Sequence, residues 1–275
     1  MTKTWFITGT STGLGRILTE RLLEHGDRVV ATLRKPGALD QLLRKYGDHL
    51  HVIMLDVTDT QAIRTALAKA FSRMERIDIV VNNAGYGLFG AGEEASDEQI
   101  ERQIATNLVG SIQLIRAALP HLRAQGGGRI VQVSSEGGQI AYPNFSLYHA
   151  TKWGIEGFVE SIAQEVAPFG IDFLLIEPGP TGTNFADGLD HAQPMACYEE
   201  TPAGDVRRAL SSGDFSIKGD AVKTVDAMIT AANTLQPPFR LALGSSAYMS
   251  ISQALTERLR VLEAQKEVTF SVDRD

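Results

Sequence analysis

The sequence predicts an α/β fold: a doubly wound parallel sheet of about seven strands with helices on both faces. Three observations predict it. Short apolar, β-branched runs alternate with longer segments of helical period. The alternation runs the length of the chain with no internal repeat and no low-complexity linker. The residues capable of chemistry fall directly after those apolar runs, where sheets of this kind bind ligands beyond the carboxyl ends of their strands.

Taken in order, "WFIT" is the first strand, followed by the glycine-rich "TGTSTGLG" from Thr8 to Gly15. The helix "LGRILTERLLEHG" repeats Leu14, Leu18 and Leu22 every four residues and puts Gly26 where a C′ glycine belongs. Strands are expected at Arg28 to Thr32, at His51 to Asp56, and in "DIVVNN", "RIVQVS", "DFLLIE" and "FRLALG". The stretch from Asn184 to Gly219 has weak periodicity and reads as a substrate-binding loop or lid, since long segments of that kind in compact domains tend to serve binding. A helix is expected in "DAVKTVDAMITAANT" and a long closing helix in "SAYMSISQALTERLRVLEAQKEV", with "FSVDRD" frayed at the end.

With 275 residues, 43% hydrophobic and 21% charged, the chain can bury one core, and residues 1–275 are expected to form a single domain. A net charge of −7 offers no basic footprint for nucleic acid. No apolar run approaches the ~20 residues that span a bilayer, and Met1–Gly9 is too short and too soon interrupted for a secretory signal. The single cysteine, Cys197, forms no internal disulfide, which agrees with a reducing, cytoplasmic location. His49 and His51 share a strand face without a third ligand, so no metal site is expected.

The glycine-rich stretch has two readings. Gly9-Thr10-Ser11-Thr12-Gly13 fits G-x-S-x-G, the elbow that exposes a nucleophilic serine. That elbow needs an oxyanion donor from an earlier strand loop, yet one strand precedes Ser11, and the last histidine, His191, lies in the weakly periodic stretch. As a phosphate cradle, Gly9, Gly13 and Gly15 stand between a strand and a helix start, whose free N–H groups and dipole favour an anion. The Gly-Lys-Ser/Thr of a P-loop is missing, because Arg16 and Ile17 follow Gly15. About 20 residues further on, where an NAD site would place a carboxylate for the ribose 2′-hydroxyl, stand Arg34 and Lys35. Cations there favour the 2′-phosphate of NADP(H) over NAD(H).

The ordered motifs "TGTSTGLG", "LDVTD", "NNAG", "ATNLVG", "VSS", "YHATK" and "EPGPTGT" resemble the short-chain dehydrogenase/reductase family over nearly the whole length. "TLR" and "PPFRLALGSSAY" resemble its 17β-hydroxysteroid-dehydrogenase-like subgroup. The resemblance implies a Rossmann-type domain that interconverts a ketone or aldehyde and an alcohol by hydride transfer with NADP(H), often as a dimer or tetramer. An NADP(H)-dependent carbonyl reductase is the leading expectation; a nucleotide sensor without turnover and the Ser11 hydrolase are the alternatives.

By the same resemblance, Tyr148 is the acid or base at the substrate oxygen and Lys152 lowers its pKa and holds the nicotinamide ribose. Spacing agrees, since residues four apart share a helix face. Ser135, 13 residues before Tyr148, would orient the substrate oxygen in preference to Ser134, and Asn107 would support a water relay to Lys152. The cofactor would lie along Gly9, Ser11, Thr12, Gly13, Leu14 and Gly15, with Asp56 and Val57 at the adenine. Asn83, Ala84 and Gly85 would line its ribose, and Pro178, Gly179, Thr181 and Thr183 the nicotinamide carboxamide. Asp56 has a competing role as cap of the following helix. His149 beside Tyr148 is read as structural, and Trp153 as a subunit contact or core filler.

Overall fold

The structure, a computed structural model, describes residues 2–212 and 217–274. Its strands are β1 (Thr4–Thr8), β2 (Arg28–Leu33), β3 (Leu50–Met54), β4 (Ile79–Asn82), β5 (Leu88–Phe89), β6 (Gly128–Val133), β7 (Ile171–Pro178), β8 (Asp190–His191) and β9 (Arg240–Leu243). The helices are α1 (Gly13–Glu24), α2 (Asp40–Tyr46), α3 (Thr60–Arg73), α4 (Asp97–Ile104), α5 (Gly110–Ala124), α6 (Ser146–Val166), α7 (Pro202–Ser212), α8 (Ala221–Asn233), α9 (Ser245–Ala264) and α10 (Lys266–Phe270). Seven strands form one parallel sheet in the order β3-β2-β1-β4-β6-β7-β9, as expected, and β5 pairs with β8 in a separate short ribbon.

β1 sits between β2 and β4, with Trp5 opposite Val29 on one side and Ile79 on the other. The chain travels outward from β1 to β3, returns to β4, and then travels outward the other way to β9. Strand order therefore reverses between β1 and β4, which opens a crevice at their carboxyl ends.

Alternating side chains along each strand feed two cores. Trp5, Ile7, Val29 and Ala31 pack with Leu18 and Leu22 of α1 and Val225 and Met228 of α8. Phe6, Val30 and Val80 pack on the opposite face with Ile63 and Leu67 of α3, Leu114 and Ile115 of α5, and Ile155 and Val159 of α6. The sheet is buried on both sides. As expected, α1 ends at the His25 cap with Gly26 following at φ 82°.

Three boundaries differ from expectation. The third strand is Leu50–Met54: Leu55 N makes a last bond to Leu33 O at 3.0 Å, and from Asp56 the chain turns toward α3. The weakly periodic stretch contains β8 and the helix α7, which polar contacts hold in place rather than a wide apolar stripe. The closing helix stops at Ala264, and after Gln265 the short α10 carries the chain to Phe270. Residues 213–216 of the expected lid and Asp275 of the expected frayed tail lie outside the described residues.

Candidate active site

The turn after β1 is built from backbone. Gly9 has φ 71°, in the left-handed region, and a Cβ there would stand 2.9 Å from Ala84 Cα. At Gly15 a Cβ would strike the carbonyl oxygen of Gly9. These positions accept glycine alone. The Thr8 hydroxyl accepts from the backbone N–H of Asn83 at 2.9 Å and of Ala84 at 3.0 Å, while Asn83 Nδ2 donates to the carbonyls of Thr8 and Gly9 at 2.9 and 3.1 Å. Asn83 and Ala84 thus brace the turn from β4, and Gly85 follows against the Asn107 side chain.

Beyond the turn, α1 starts with no side-chain cap at Thr12 and no acid in its first turn. By contrast, α3, α4 and α8 are capped by Asp59, Ser96 and Asp220. An uncapped start under a turn too tight for a Cβ leaves N–H donors and the positive helix end for an anion. Ser11 and Thr12 are exposed there, and Leu14 is half-buried. The donor set fits a dinucleotide pyrophosphate.

Arg34 and Lys35 leave the end of β2 exposed to solvent. Asp56 Oδ1 accepts from Thr58 N at 2.9 Å and Thr58 Oγ1 at 2.7 Å. The Thr58 backbone bond above all, and lastly the charge of Arg34, hold this carboxyl below its ordinary value. Asp56 does not cap the next helix. Asp59 does, accepting from Ala62 N at 2.9 Å. Val57 turns its side chain into the core, and its carbonyl oxygen packs against Gly110 at the start of α5.

Where β6 ends, the site is made of buried side chains. Ser134, Ser135, Tyr148 and Lys152 are each less than a tenth exposed. Ser135 Oγ accepts from Gly137 N at 3.1 Å, Lys152 Nζ donates to Val133 O at 3.0 Å, and that Nζ lies 5.5 Å from the centre of the Tyr148 ring. Burial pushes the Tyr148 phenol up to about 12, the Ser135 hydroxyl pulling against it and Glu136 and Glu156 adding to it. Burial pulls Lys152 down to about 8 against the charge of Glu156. In this state desolvation governs the phenol, not the neighbouring ammonium, because both groups are out of water.

Asn107 lies in a π-helical turn, Ala105–Val109, between α4 and α5. Such turns often occur at functional sites because they push one residue out of the regular ladder. Here the Asn107 amide clasps one residue from both sides: Oδ1 accepts from Tyr86 N at 3.1 Å and Nδ2 donates to Tyr86 O at 2.8 Å. His149 is buried with neither ring nitrogen hydrogen-bonded among the described residues. Burial pulls it down to about 4, and its ring packs edge-on against Tyr142 at 4.5 Å. Trp153 is half-exposed, bonds Ile140 O through Nε1 and lies under Arg258, so it does not fill the core.

The chain leaving β7 closes the crevice. Pro178 is buried, Gly179 N donates to Leu243 O at 3.0 Å, and Thr181 Oγ1 donates to Gly179 O at 2.8 Å. Thr183 Cβ stands 3.9 Å from where a Cβ on Gly13 would be, so this segment reaches the glycine turn. Two residues on, the ring of Phe185 lies 5.7 Å from that of Tyr148. Sequence reasoning missed the polar anchors of the chain between Phe185 and α7. Glu94, its side chain wholly buried, accepts from Met195 N at 2.8 Å, and both of its oxygens accept from Arg207 Nη2 of α7, at 2.8 and 2.7 Å. Asn144 Nδ2 donates to Ala203 O at 2.7 Å. Asp190 of β8 pairs with Arg102 of α4.

Among the described residues the Ser11 side chain has no hydrogen-bonded histidine or acid partner. His191, the downstream candidate, pairs in the β5–β8 ribbon and packs its ring on Phe89 at 5.5 Å. Among the described residues no cluster of His, Cys, Asp and Glu could hold a metal, and no helix is long and apolar enough to cross a membrane.

The family described as short chain dehydrogenase matches residues 3–194. The chain belongs to this family of oxidoreductases. It is 37% identical to the oxidoreductase BOA17 of Botryotinia fuckeliana (strain B05.10), over 90% of each chain. It is also 37% identical to a 3-ketodihydrosphingosine reductase of Bacteroides thetaiotaomicron, over 86% of each. A solved short-chain dehydrogenase from Streptomyces avermitilis superposes with a TM-score of 0.91 at 36% identity, over all of both chains. Other solved structures of similar fold hold NADP in some cases and NAD in another.

Proposed function

We propose that the chain is an NADP(H)-dependent carbonyl reductase that interconverts a ketone or aldehyde and an alcohol, with Ser135, Tyr148, Lys152 and Asn107 as its catalytic set. The observation that carries this reading is a juxtaposition. The segment after β7 runs from the glycine turn at Thr183 to the Tyr148 ring at Phe185, so an anion cradle and a buried proton donor share one crevice.

Bound NADPH supplies the hydride that reduces the carbonyl carbon. The turn Gly9–Gly15 takes its pyrophosphate, and Arg34 with Lys35 takes a 2′-phosphate. Asp56, Val57, Asn83, Ala84 and Gly85 flank the adenosine, and Pro178, Gly179, Thr181 and Thr183 hold the carboxamide. At neutral pH the Tyr148 phenol carries its proton, the form that reduction needs, and gives it to the substrate oxygen, which the Ser135 hydroxyl orients. The resulting tyrosinate is stabilised by the Lys152 ammonium and refilled from solvent through the groups around Asn107. In alcohol oxidation the same transfers run backward.

Residues 184–219 act as the substrate lid in this reading. A hydrophobic ketone suits the aromatic surround of Phe89, Phe145, Tyr148 and Phe185. This accords with the 17β-hydroxysteroid-dehydrogenase-like subgroup and with a long-chain keto substrate of the kind named for the Bacteroides relative. The exposed, unbonded Cys197 accords with the cytoplasm, and a homodimer or homotetramer with the family's habit. The test mixes protein with NADPH and a panel of ketones that includes a long-chain 3-keto amine, and follows loss of the reduced nicotinamide absorbance. Consumption of NADPH with a member of the panel supports the reading, and binding of NADPH without turnover across the panel refutes it.

A further inference from the structure

Beneath the tyrosine and lysine lies a buried acidic cluster with no part in the proposed proton transfers. Tyr148, Lys152 and Glu156 recur every four residues along α6, on one face of the helix. Glu156 is 2% exposed. Its Oε1 accepts from Ser134 Oγ, the neighbour of Ser135, and its Oε2 from Arg240 Nη1 of β9 at 2.6 Å. Arg240 also meets Glu177 at the end of β7, and Glu160 on α6 at 2.6 Å, while Gln139 donates to Glu177 at 2.7 Å. Gly138, in the loop that carries Ser135, closes so tightly on Glu156 that a Cβ would overlap the carboxylate.

Two buried carboxyls, Glu156 and Glu177, share one guanidinium, and burial followed by the charge of Glu156 pushes Glu177 above its ordinary value. One turn away, the buried ammonium of Lys152 has a single hydrogen bond among the described residues, to Val133 O, and no direct ion pair. A buried cation and a buried anion each carry a large desolvation cost unless an opposite charge is near.

We propose that Glu156, fixed by Arg240 and Ser134, is a positioning residue for the Tyr148–Lys152 pair: its buried carboxylate keeps the Lys152 ammonium charged at the end of β6. This rests on the reading of Tyr148 and Lys152 as the proton-handling groups. Burial draws Lys152 down to about 8 and Glu156 opposes that draw, so without the carboxylate the lysine releases its proton at lower pH. The other charges facing the cluster are Arg240 from β9, Glu177 from β7, Glu136 from the loop after β6, and Glu160 on α6 itself. Arg240 meets the cluster through its ion pairs with Glu156 and Glu177.

Glu156→Gln keeps the shape and removes the charge. The alkaline limb of kcat/KM, where Lys152 loses its proton, is expected to move to lower pH by roughly one unit. A readout independent of turnover comes from urea unfolding of the cofactor-free protein. The folded chain holds the Lys152 proton less tightly, near 8, than an ordinary lysine at 10.5, so between those values the unfolded chain binds more protons and stability rises with pH. Glu156→Gln should start that rise at lower pH, observed below pH 10, where Tyr148 does not yet titrate.

Glu156→Asp withdraws the carboxylate by one methylene and should move both profiles the same way but less; it serves where Glu156→Gln does not fold. Profiles that stay in place, or a uniform loss of kcat without a shift, overturn the proposal. Turnover that survives Tyr148→Phe refutes instead the assigned reaction, and the unfolding profile still decides the role of Glu156.

Discussion

The carboxyl ends of β1 and β6 lie in one crevice and are built in opposite ways. After β1 the functional surface is backbone: glycines pressed against carbonyls, an uncapped helix start, and Asn83 spending its amide on bracing the turn. After β6 it is side chain, with a phenol, an ammonium and three carboxylates out of water and two of those groups pushed far from their ordinary pKa values. Binding an anion needs only fixed dipoles, which a tight turn provides in contact with solvent. Moving a proton needs groups whose affinities are tuned, and tuning needs burial.

The two ends should therefore break differently. Tyr148→Phe removes the proton donor and leaves the cradle untouched. A loss of turnover of about 10²–10⁴-fold is expected with the NADPH dissociation constant nearly unchanged, checked by steady-state kinetics beside a fluorescence titration. Substantial residual turnover would dissolve the distinction between the two ends. Glu94→Ala strips the buried partner of Arg207 and should lower unfolding free energy by about 3 kcal/mol, read from urea denaturation, since it leaves a largely buried guanidinium with the exposed Glu199 as its remaining ion-pair partner among the described residues. Gly15→Ala should cost about 1–3 kcal/mol by overpacking against the Gly9 carbonyl, and should weaken NADPH and NADH equally because both share the pyrophosphate. Arg34→Asp is the mildest and most selective change. It should weaken NADPH by about tenfold while sparing NADH, and equal effects in paired titrations would remove the 2′-phosphate assignment.

Much of the sheet was legible because strands buried on both faces read as short unbroken apolar runs, as in "DIVVNN" and "DFLLIE". β5 and β8 were not, since two-residue strands exist only through each other. α7 was hidden for a related reason. Its position depends on Arg207 reaching Glu94 and on Ala203 meeting Asn144, contacts between residues far apart in the chain that leave no periodic trace. The glycine turn and the Tyr148, Lys152 spacing were legible as local patterns. Glu156 and Arg240 were not, because a charged residue in sequence looks like solvated surface until the fold buries it. One signal was present: Glu156 continues the four-residue spacing of Tyr148 and Lys152. Asp56 illustrates the converse, a plausible cap that lost to Asp59 because the turn at Thr58 places the helix start three residues later.

The widened turn at Ala105–Val109 has a consequence for how this chain tolerates insertions and deletions. Each residue advances an α-helix by about 100°, so the additional residue in that turn sets the phase of everything from Gly110 onward relative to α4. Excising one residue there would make a smoother rod, yet it would swing Leu114, Ile115 and Ala118 away from the sheet and turn charged neighbours inward. The irregularity is thus locked by the core it orients, and length at this point in the chain is less negotiable than residue identity.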